Sequence, residues 1–394
     1  NQDNGSWQFS TNSGTTWTNF GATGSANALF LASNNATRVR FVPNANFNGW
    51  SGLTFVAWDQ TSGTNGTKAS ALVRGGTSAL SVDKDNAYIT VNAVNDAPVL
   101  NASGNPTLDA IAENVVPASN AGTLVSTILS RMSPGGGITD VDAGAVRGMA
   151  IIGSNQSNGT WQYSLNNGGA WTNFGATAPT NALLLASNST TRIRFVPNAN
   201  FDGTRGFTFV AWDQTTGTNG GRGVTNPPGG TSAFSINTEN VFVTVTNVNN
   251  APLLNAGGNL QLNPLTGAGN QGTLVSDLVS RMAPDGGIID PDTTDPKGIA
   301  ILSTTQTNGK WQYSLNDGTT WVDVGTTGTT QALLLAADAT TRVRYLANGV
   351  FTGFVRFDFV AWDQTTGTNG TKTNVTTRGG TTPYSINTDS AFLI

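Results

Sequence analysis

The feature that most constrains this chain is that it repeats itself. Trp7-Gln8-Phe9-Ser10 returns as Trp161-Gln162-Tyr163-Ser164 and again as Trp311-Gln312-Tyr313-Ser314, at spacings of 154 and then 150 residues. Arg38-Val39-Arg40-Phe41 returns at 192–195 and 342–345, and Ala57-Trp58-Asp59-Gln60 at 211–214 and 361–364. Val94-Asn95-Asp96-Ala97-Pro98 has its partner in Val248-Asn249-Asn250-Ala251-Pro252. A period near 150 is too long for a solenoid unit, so each copy is expected to hold its own core and to sit in the chain as one bead among others. The expected divisions are 1–97, 98–251 and 252–394, with the middle copy whole.

Within a copy the hydrophobic period is two. Trp161 to Leu165 alternates apolar and polar, and so does Arg192 to Val196, which puts Ile193 and Phe195 inward and both arginines outward. Phe207 to Trp212 and Val241 to Thr246 are further strands. Asn166-Asn167-Gly168-Gly169 and Asn316-Asp317-Gly318 supply hairpin turns, because glycine accepts positive φ. One segment breaks the pattern. Leu124, Val125, Ile128, Leu129 and Met132 follow helical spacing, as do Leu274, Val275, Leu278, Val279 and Met282, and Gly135-Gly136-Gly137 closes the first run. The expected fold class is therefore all-β, in tandem sandwich domains with one short amphipathic helix each.

Composition narrows the chemistry. The 394 residues contain no Cys and no His. That removes disulfides, thiolate nucleophiles, Cys/His zinc sites and imidazole acid–base catalysis. A net charge of −4 without a Lys/Arg cluster points away from nucleic acid. No apolar run reaches the ~20 residues of a membrane-spanning helix. Paired carboxylates could serve a glycosidase, but the acids recur from copy to copy at loop positions, with no unlike catalytic domain. The expectation is a protein that is not an enzyme.

The order of these pieces resembles the cadherin-like tandem modules of large bacterial surface and secreted proteins. The pieces that carry the resemblance are the Asn-Asp-Ala-Pro linker at 95–98, Pro197-Asn198-Ala199-Asn200-Phe201-Asp202-Gly203 ahead of a strand, and Ile138-Thr139-Asp140-Val141-Asp142 ahead of Gly148-Met149-Ala150-Ile151. The resemblance spans essentially the whole chain. It implies cadherin-like (Ig-like) β-sandwiches, an extracellular or cell-surface location, scaffold or adhesive roles, and calcium at the domain junctions. The residues that match the family's junction pattern are Asp140, Asp142, Asp213, Asn95 and Asp96 at the first junction. At the second they are Asp290, Asp292, Asp363, Asn249, Asn250 and Glu113. The family's acidic Asp-Arg-Glu-type motif is not visible, Asp96 is replaced by Asn250, and Asn263 stands as the counterpart of Glu113, so fewer charges are on offer. Extracellular modules of this kind bind at roughly 10⁻⁴–10⁻³ M. At millimolar calcium such a site adds about 0.4–1.4 kcal/mol, enough to stiffen a joint and too little to fold a domain. The alternative is that Asp140, Asp142 and Asp213 are turn and cap residues that accept backbone N–H bonds.

Other residues read as follows. Trp58, Trp212 and Trp362 lie at an apolar strand position, which suits packing better than sugar stacking. Trp50, matched by Thr204 and Phe354, is either an exposed contact or a loop anchor. The pairs Arg38/Arg40, Arg192/Arg194 and Arg342/Arg344 read as solvated faces that pair with acids. Asp85, Glu239 and Asp389, at one matching position, read as solvated loop acids. Sequons such as Asn158-Gly159-Thr160 arise by chance in an Asn/Gly/Thr-rich chain.

Three functions are compatible with these observations: a structural module array of an extracellular filament, sheath or surface layer that assembles head to tail, the spacer stalk of a large adhesin, or an array of carbohydrate-binding modules. Asn1 aligns with Asn155, so the first copy has no counterpart of 98–154, and Ile394 aligns with Thr244. A sandwich without its opening segments exposes unpaired edges, so the expectation is either that the true chain simply continues or that a neighbouring protomer completes the fold by strand addition.

Overall fold

A computed structural model describes residues 3–132, 137–257, 260–264, 270–282, 287–350 and 353–394. The chain is all-β, with several separate sheets and two short α-helices. The second and third copies have the same topology. In the second, Gly159–Ser164 pairs with Thr172–Asn173 on one side and Arg192–Pro197 on the other, and Thr123–Leu124 adds to Arg192–Pro197. A second sheet of six strands places Gly148–Ser154 between Ala182–Ala186 and Gly203–Trp212, and extends through Phe234–Thr246 to Ile111–Ala112. Apart from that last pair, which is parallel, the pairing in these two sheets is antiparallel.

One buried cluster takes side chains from both sheets. Trp161, Ile193 and Phe195 come from the four-stranded sheet, and Met149, Ile151, Leu183, Leu185, Phe209 and Val243 from the six-stranded one. The helix expected from its 3.6-residue spacing is present as α1 (Val125–Ser130) and, in the third copy, α2 (Val275–Arg281). Val125, Ile128 and Leu129 enter the same cluster. Of the glycines that close the run, Gly137 is described and has φ of +64°, while 135 and 136 lie outside the described residues.

The six-stranded sheet is also buried on its other face, where Ala150, Leu184, Val210, Trp212 and Phe234 pack together. This explains why Phe209, Val210, Ala211 and Trp212 are all buried and why the strict alternation of a half-buried strand is lost there. The register slips between Val210 and Trp212. The hairpin turns behave as their sequences require: Asn167 and Gly168 have φ of 58° and 92°, and Asp317 and Gly318 55° and 84°.

The first copy is built differently. Gly5–Ser10, Thr18–Asn19 and Arg38–Pro43 make a three-stranded sheet, while among the described residues Ala28–Leu29 pairs only with Lys68–Ala69 and Gly49–Phe55 only with Asp85–Val91.

Two surface readings are corrected by the packing. Arg194 is buried, not solvated. Its guanidinium lies 4.0 Å from the Trp171 ring centroid and donates to the carbonyls of Pro117 and Asn120 and to Gln162 Oε1. Arg344, part-buried, likewise stacks over Trp321 at 3.8 Å and donates to the Asn270 carbonyl and to Gln312 Oε1. Alternation pointed these side chains away from the core, but in the second copy the Pro117–Gly122 segment crosses that outer face and covers Arg194. Glu239 is likewise no solvated loop acid. It is buried within the Phe234–Thr246 strand and accepts from the Gly104 N–H at 3.2 Å. Asp389 is half-buried in a strand, its Oδ2 is enclosed without a hydrogen-bond partner, and burial pushes its carboxyl above the usual range. Asp85 is exposed, though it too lies in a strand.

Candidate metal centres at the repeat junctions

The linker and three distant loops meet at each junction. At the first, Asn95 Nδ2 donates to Asp213 Oδ2 at 2.9 Å and to the Ser232 carbonyl at 3.1 Å. The Asp96 N–H donates to Asp142 Oδ2 at 2.8 Å, and the Ala97 N–H to the Gly230 carbonyl at 2.8 Å. Asp140 Oδ1 accepts from the Asp142 N–H at 2.9 Å, which folds the Asp-x-Asp loop back on itself. Asp213 spends its other oxygen on Thr215, from both its N–H and its hydroxyl.

The second junction repeats the geometry. Asn249 Nδ2 donates to Asp363 Oδ2 at 3.0 Å, the Asn250 N–H to Asp292 Oδ2 at 2.6 Å, and the Asp292 N–H to Asp290 Oδ1 at 2.9 Å. Here the preceding copy contributes as well. Ile111–Ala112 pairs in parallel with Val245 and Thr246 at the end of the last strand, so the next residue, Glu113, arrives beside the linker. Its buried carboxylate accepts from the Val248 N–H at 3.3 Å and from Asn250 Nδ2 at 2.7 Å. The same Nδ2 reaches Asp292 Oδ1 at 3.2 Å, so the Asn250 amide bridges carboxylates from two copies.

The acids at these junctions have no cationic partner among the described residues. None of the four ion pairs found there includes Asp96, Asp140, Asp142, Asp213, Glu113, Asp290, Asp292, Asp295 or Asp363. Burial first, and then the neighbouring charges of Asp142, Asp213 and Asp96, raise the Asp140 carboxyl above its ordinary value. Burial and the charges of Asp363, Asp292 and Asp295 push Asp290 up to about 6. Two oxygens at these clusters, Asp140 Oδ2 and Asn249 Oδ1, are buried without a hydrogen-bond partner. Buried polar atoms are rarely left so. The donor set is carboxylates and an amide carbonyl, all hard oxygens. That is the chemistry of a calcium ligand set, and thiolate- or imidazole-selective metals are poorly served.

All eleven residues singled out in the sequence therefore lie at the junctions expected for them. Two more lie there and were missed. Asp295 forms a compact group with Asp290 and Asp292, their ligand oxygens within 4.8 Å of one another. The Asp290-x-Asp292-x-x-Asp295 spacing was a readable signal, absent from the first junction, where Ala145 stands in the matching turn. Asn114, at φ of 57°, donates to Asn250 Oδ1 at 3.0 Å and to Asn200 at 3.2 Å. One correspondence also changes. Asn263 stands where Asp109 does, since both take the same place against an arginine (Arg281, Arg131) and a threonine hydroxyl (Thr273, Thr123). The segment after it is shorter in the third copy, so Asn263 is not the counterpart of Glu113.

The aromatic candidates divide. Trp212 and Trp362 are core residues whose indole N–H groups donate to the carbonyls of Thr216 and Thr366 at 2.8 Å, so neither presents a face to a sugar. Trp50 is exposed and makes an edge contact with Tyr88. Comparison with protein families, with curated proteins and with solved structures returns no match.

Proposed function

We propose that the chain is a run of cadherin-like β-sandwich repeats with calcium-binding junctions, and that it serves as the structural module array of an extracellular filament, sheath or surface layer. The observation that carries this reading is the junction built twice to one plan: a linker Asn tied to a distant Asp, a linker N–H tied to an Asp-x-Asp loop, and clustered carboxylates without an ion-pair partner. Asp140, Asp142, Asp213 and Asp96 would hold the ion at the first junction. Glu113, Asp290, Asp292, Asp295, Asp363 and the Asn249 carbonyl would hold it at the second. A bound divalent cation supplies the positive charge that these sites lack, and relieves the repulsion that raises Asp290. It would fix the linker against the following repeat.

Thermal unfolding of the full chain with excess chelator and with millimolar calcium tests the metal reading. A rise of about 1–6 °C with calcium is expected for a repeat of this size at roughly millimolar affinity. An unchanged transition would remove calcium from the account. Negative-stain imaging of the native material tests the array reading: regular polymers support it, and isolated flexible rods favour a spacer stalk.

A further inference from the structure

We propose that the Asn250 carboxamide stands in the place of a cation at the second junction. This joint is then tied without metal, and it takes one ion fewer than it would with aspartate at 250. The ion count rests on the calcium reading of the junctions, whereas the metal-free tie does not depend on it.

The surroundings of the amide nitrogen are those of an ion. Asn250 Nδ2 lies 2.7 Å from Glu113 Oε1, 3.1 Å from the Val248 carbonyl oxygen and 3.2 Å from Asp292 Oδ1. Three oxygens therefore share the hydrogens of a single NH₂ group, which has only two to give. Two of the three belong to carboxylates, one from the repeat before the linker and one from the repeat after it. Both carboxylates are buried, and neither has an ion-pair partner among the described residues. A shell made only of oxygens and carrying two negative charges suits a hard cation. Here a neutral amide fills it.

Neighbouring amides fix which way round that group sits. Asn250 Oδ1 accepts from Asn114 Nδ2 at 3.0 Å. Asn114 is itself held, because its Oδ1 accepts the Asn200 N–H at 2.8 Å and its backbone keeps a φ of 57°. With the Asn250 oxygen turned towards a donor, the nitrogen faces the carboxylates. Asn250 Nδ2 makes no bond to Asp290, Asp295 or Asp363 among the described residues. Those acids, with the buried and unbonded Asn249 Oδ1, are left for the ion of the calcium reading.

Aspartate at 250 would reverse the arrangement with almost no change of shape. One carboxylate oxygen would still accept from Asn114. The other would take the place of the amide nitrogen, against Glu113 and Asp292. Three carboxylates would then converge, repelling one another in the absence of metal and forming a ligand set in its presence. The linker backbone accommodates either residue. At the first junction the Asp96 N–H donates to Asp142 Oδ2 at 2.8 Å, the bond that the Asn250 N–H makes to Asp292 Oδ2 at 2.6 Å. The side chain at this one position therefore decides whether a joint is closed by an amide or by an ion.

The test compares the full chain with Asn250→Asp and Asn250→Ala at neutral pH, with chelator and with millimolar calcium. Hydrogen exchange over 246–252 reads the tie, and equilibrium dialysis against calcium counts the ions. With chelator the parent should keep its protection over 246–252, and both variants should lose at least about tenfold. Calcium should return Asn250→Asp to the parent's level and leave Asn250→Ala below it. Asn250→Asp should also bind one calcium more per chain than the parent. The proposal is overturned if Asn250→Asp is as protected as the parent in chelator, or if calcium restores both variants alike. It is also overturned if dialysis counts the same number of ions on the parent and on Asn250→Asp. A parent that binds no calcium removes the calcium reading alone, since exchange in chelator and the ion count on Asn250→Asp still judge the role of the amide.

Discussion

Asn249 donates its amide N–H to Asp363 at 3.0 Å while its own carbonyl oxygen stays buried without a hydrogen-bond partner. Under the proposed calcium reading, that oxygen is a ligand for the ion. Asn249→Ala removes the bond and strands the Asp363 oxygen, which should cost about 1–3 kcal/mol without metal. It should also shrink the calcium response. Asn249→Asp should lower metal-free stability too, because it adds a negative charge and loses the donor, yet enlarge the calcium response. Chemical denaturation with calcium and with chelator reads both effects.

The raised Asp290 carboxyl gives a pH dependence of definite sign. Its folded value, about 6, lies above the ordinary carboxylate value. Between about pH 4 and 6 the folded state therefore holds more protons than the unfolded state, and metal-free stability falls as pH rises through that window. Calcium competes with the same proton, so its apparent affinity should climb as pH rises through 6. Calorimetric titrations at pH 5 and pH 7.5 should differ in that direction, and Asp290→Asn should flatten the difference.

Arg194 and Arg40 occupy matching positions in unlike surroundings. Each stacks on a tryptophan and bonds a glutamine, but only Arg194 is buried and also donates to two backbone carbonyls. Arg194→Met should destabilise the second repeat by about 2–4 kcal/mol through the lost stack and the stranded carbonyls. Arg40→Met should cost the first repeat less than about 1 kcal/mol. Urea unfolding followed by exchange at peptide resolution separates the two repeats.

Gly148 tests the packing of the central strand. A Cβ at this position would lie 2.7 Å from Trp212 and 2.9 Å from the Leu185 carbonyl, so Gly148→Val forces backbone or indole to move. We expect a loss of at least about 2 kcal/mol in the second repeat. Gly153→Ala, where a Cβ meets nothing within 4 Å, is the control and should be within about 1 kcal/mol of the parent.

Local signals in the sequence translated well into structure. The helix was readable because Leu124 to Met132 keeps one spacing, and the hairpins because Asn167-Gly168 and Asp317-Gly318 carry the residues that positive φ needs. The junctions were a different matter. Asp142, Asp213 and Asn95 are spread over more than a hundred positions, and only the resemblance to cadherin-like modules placed them together. Arg194 and Glu239 were misread for a shared reason. Alternation tells which side of a strand a residue occupies, but not whether a later or earlier segment crosses that side. The loop at Gly104 and the segment at 117–122 do cross it, and polar side chains that looked solvated are satisfied inside the fold.

Asn250 ends up held from two directions, by Glu113 of the repeat before it and by Asp292 of the repeat after it. Beside the covalent linker itself, the side-chain ties between these two repeats converge on this one short segment, Val248 to Asn250. Glu113 is itself anchored by the Ile111–Ala112 strand, which is two residues long. If the repeats serve as the proposed array, the geometry of each joint rests on a patch of contacts far smaller than the cores on either side of it.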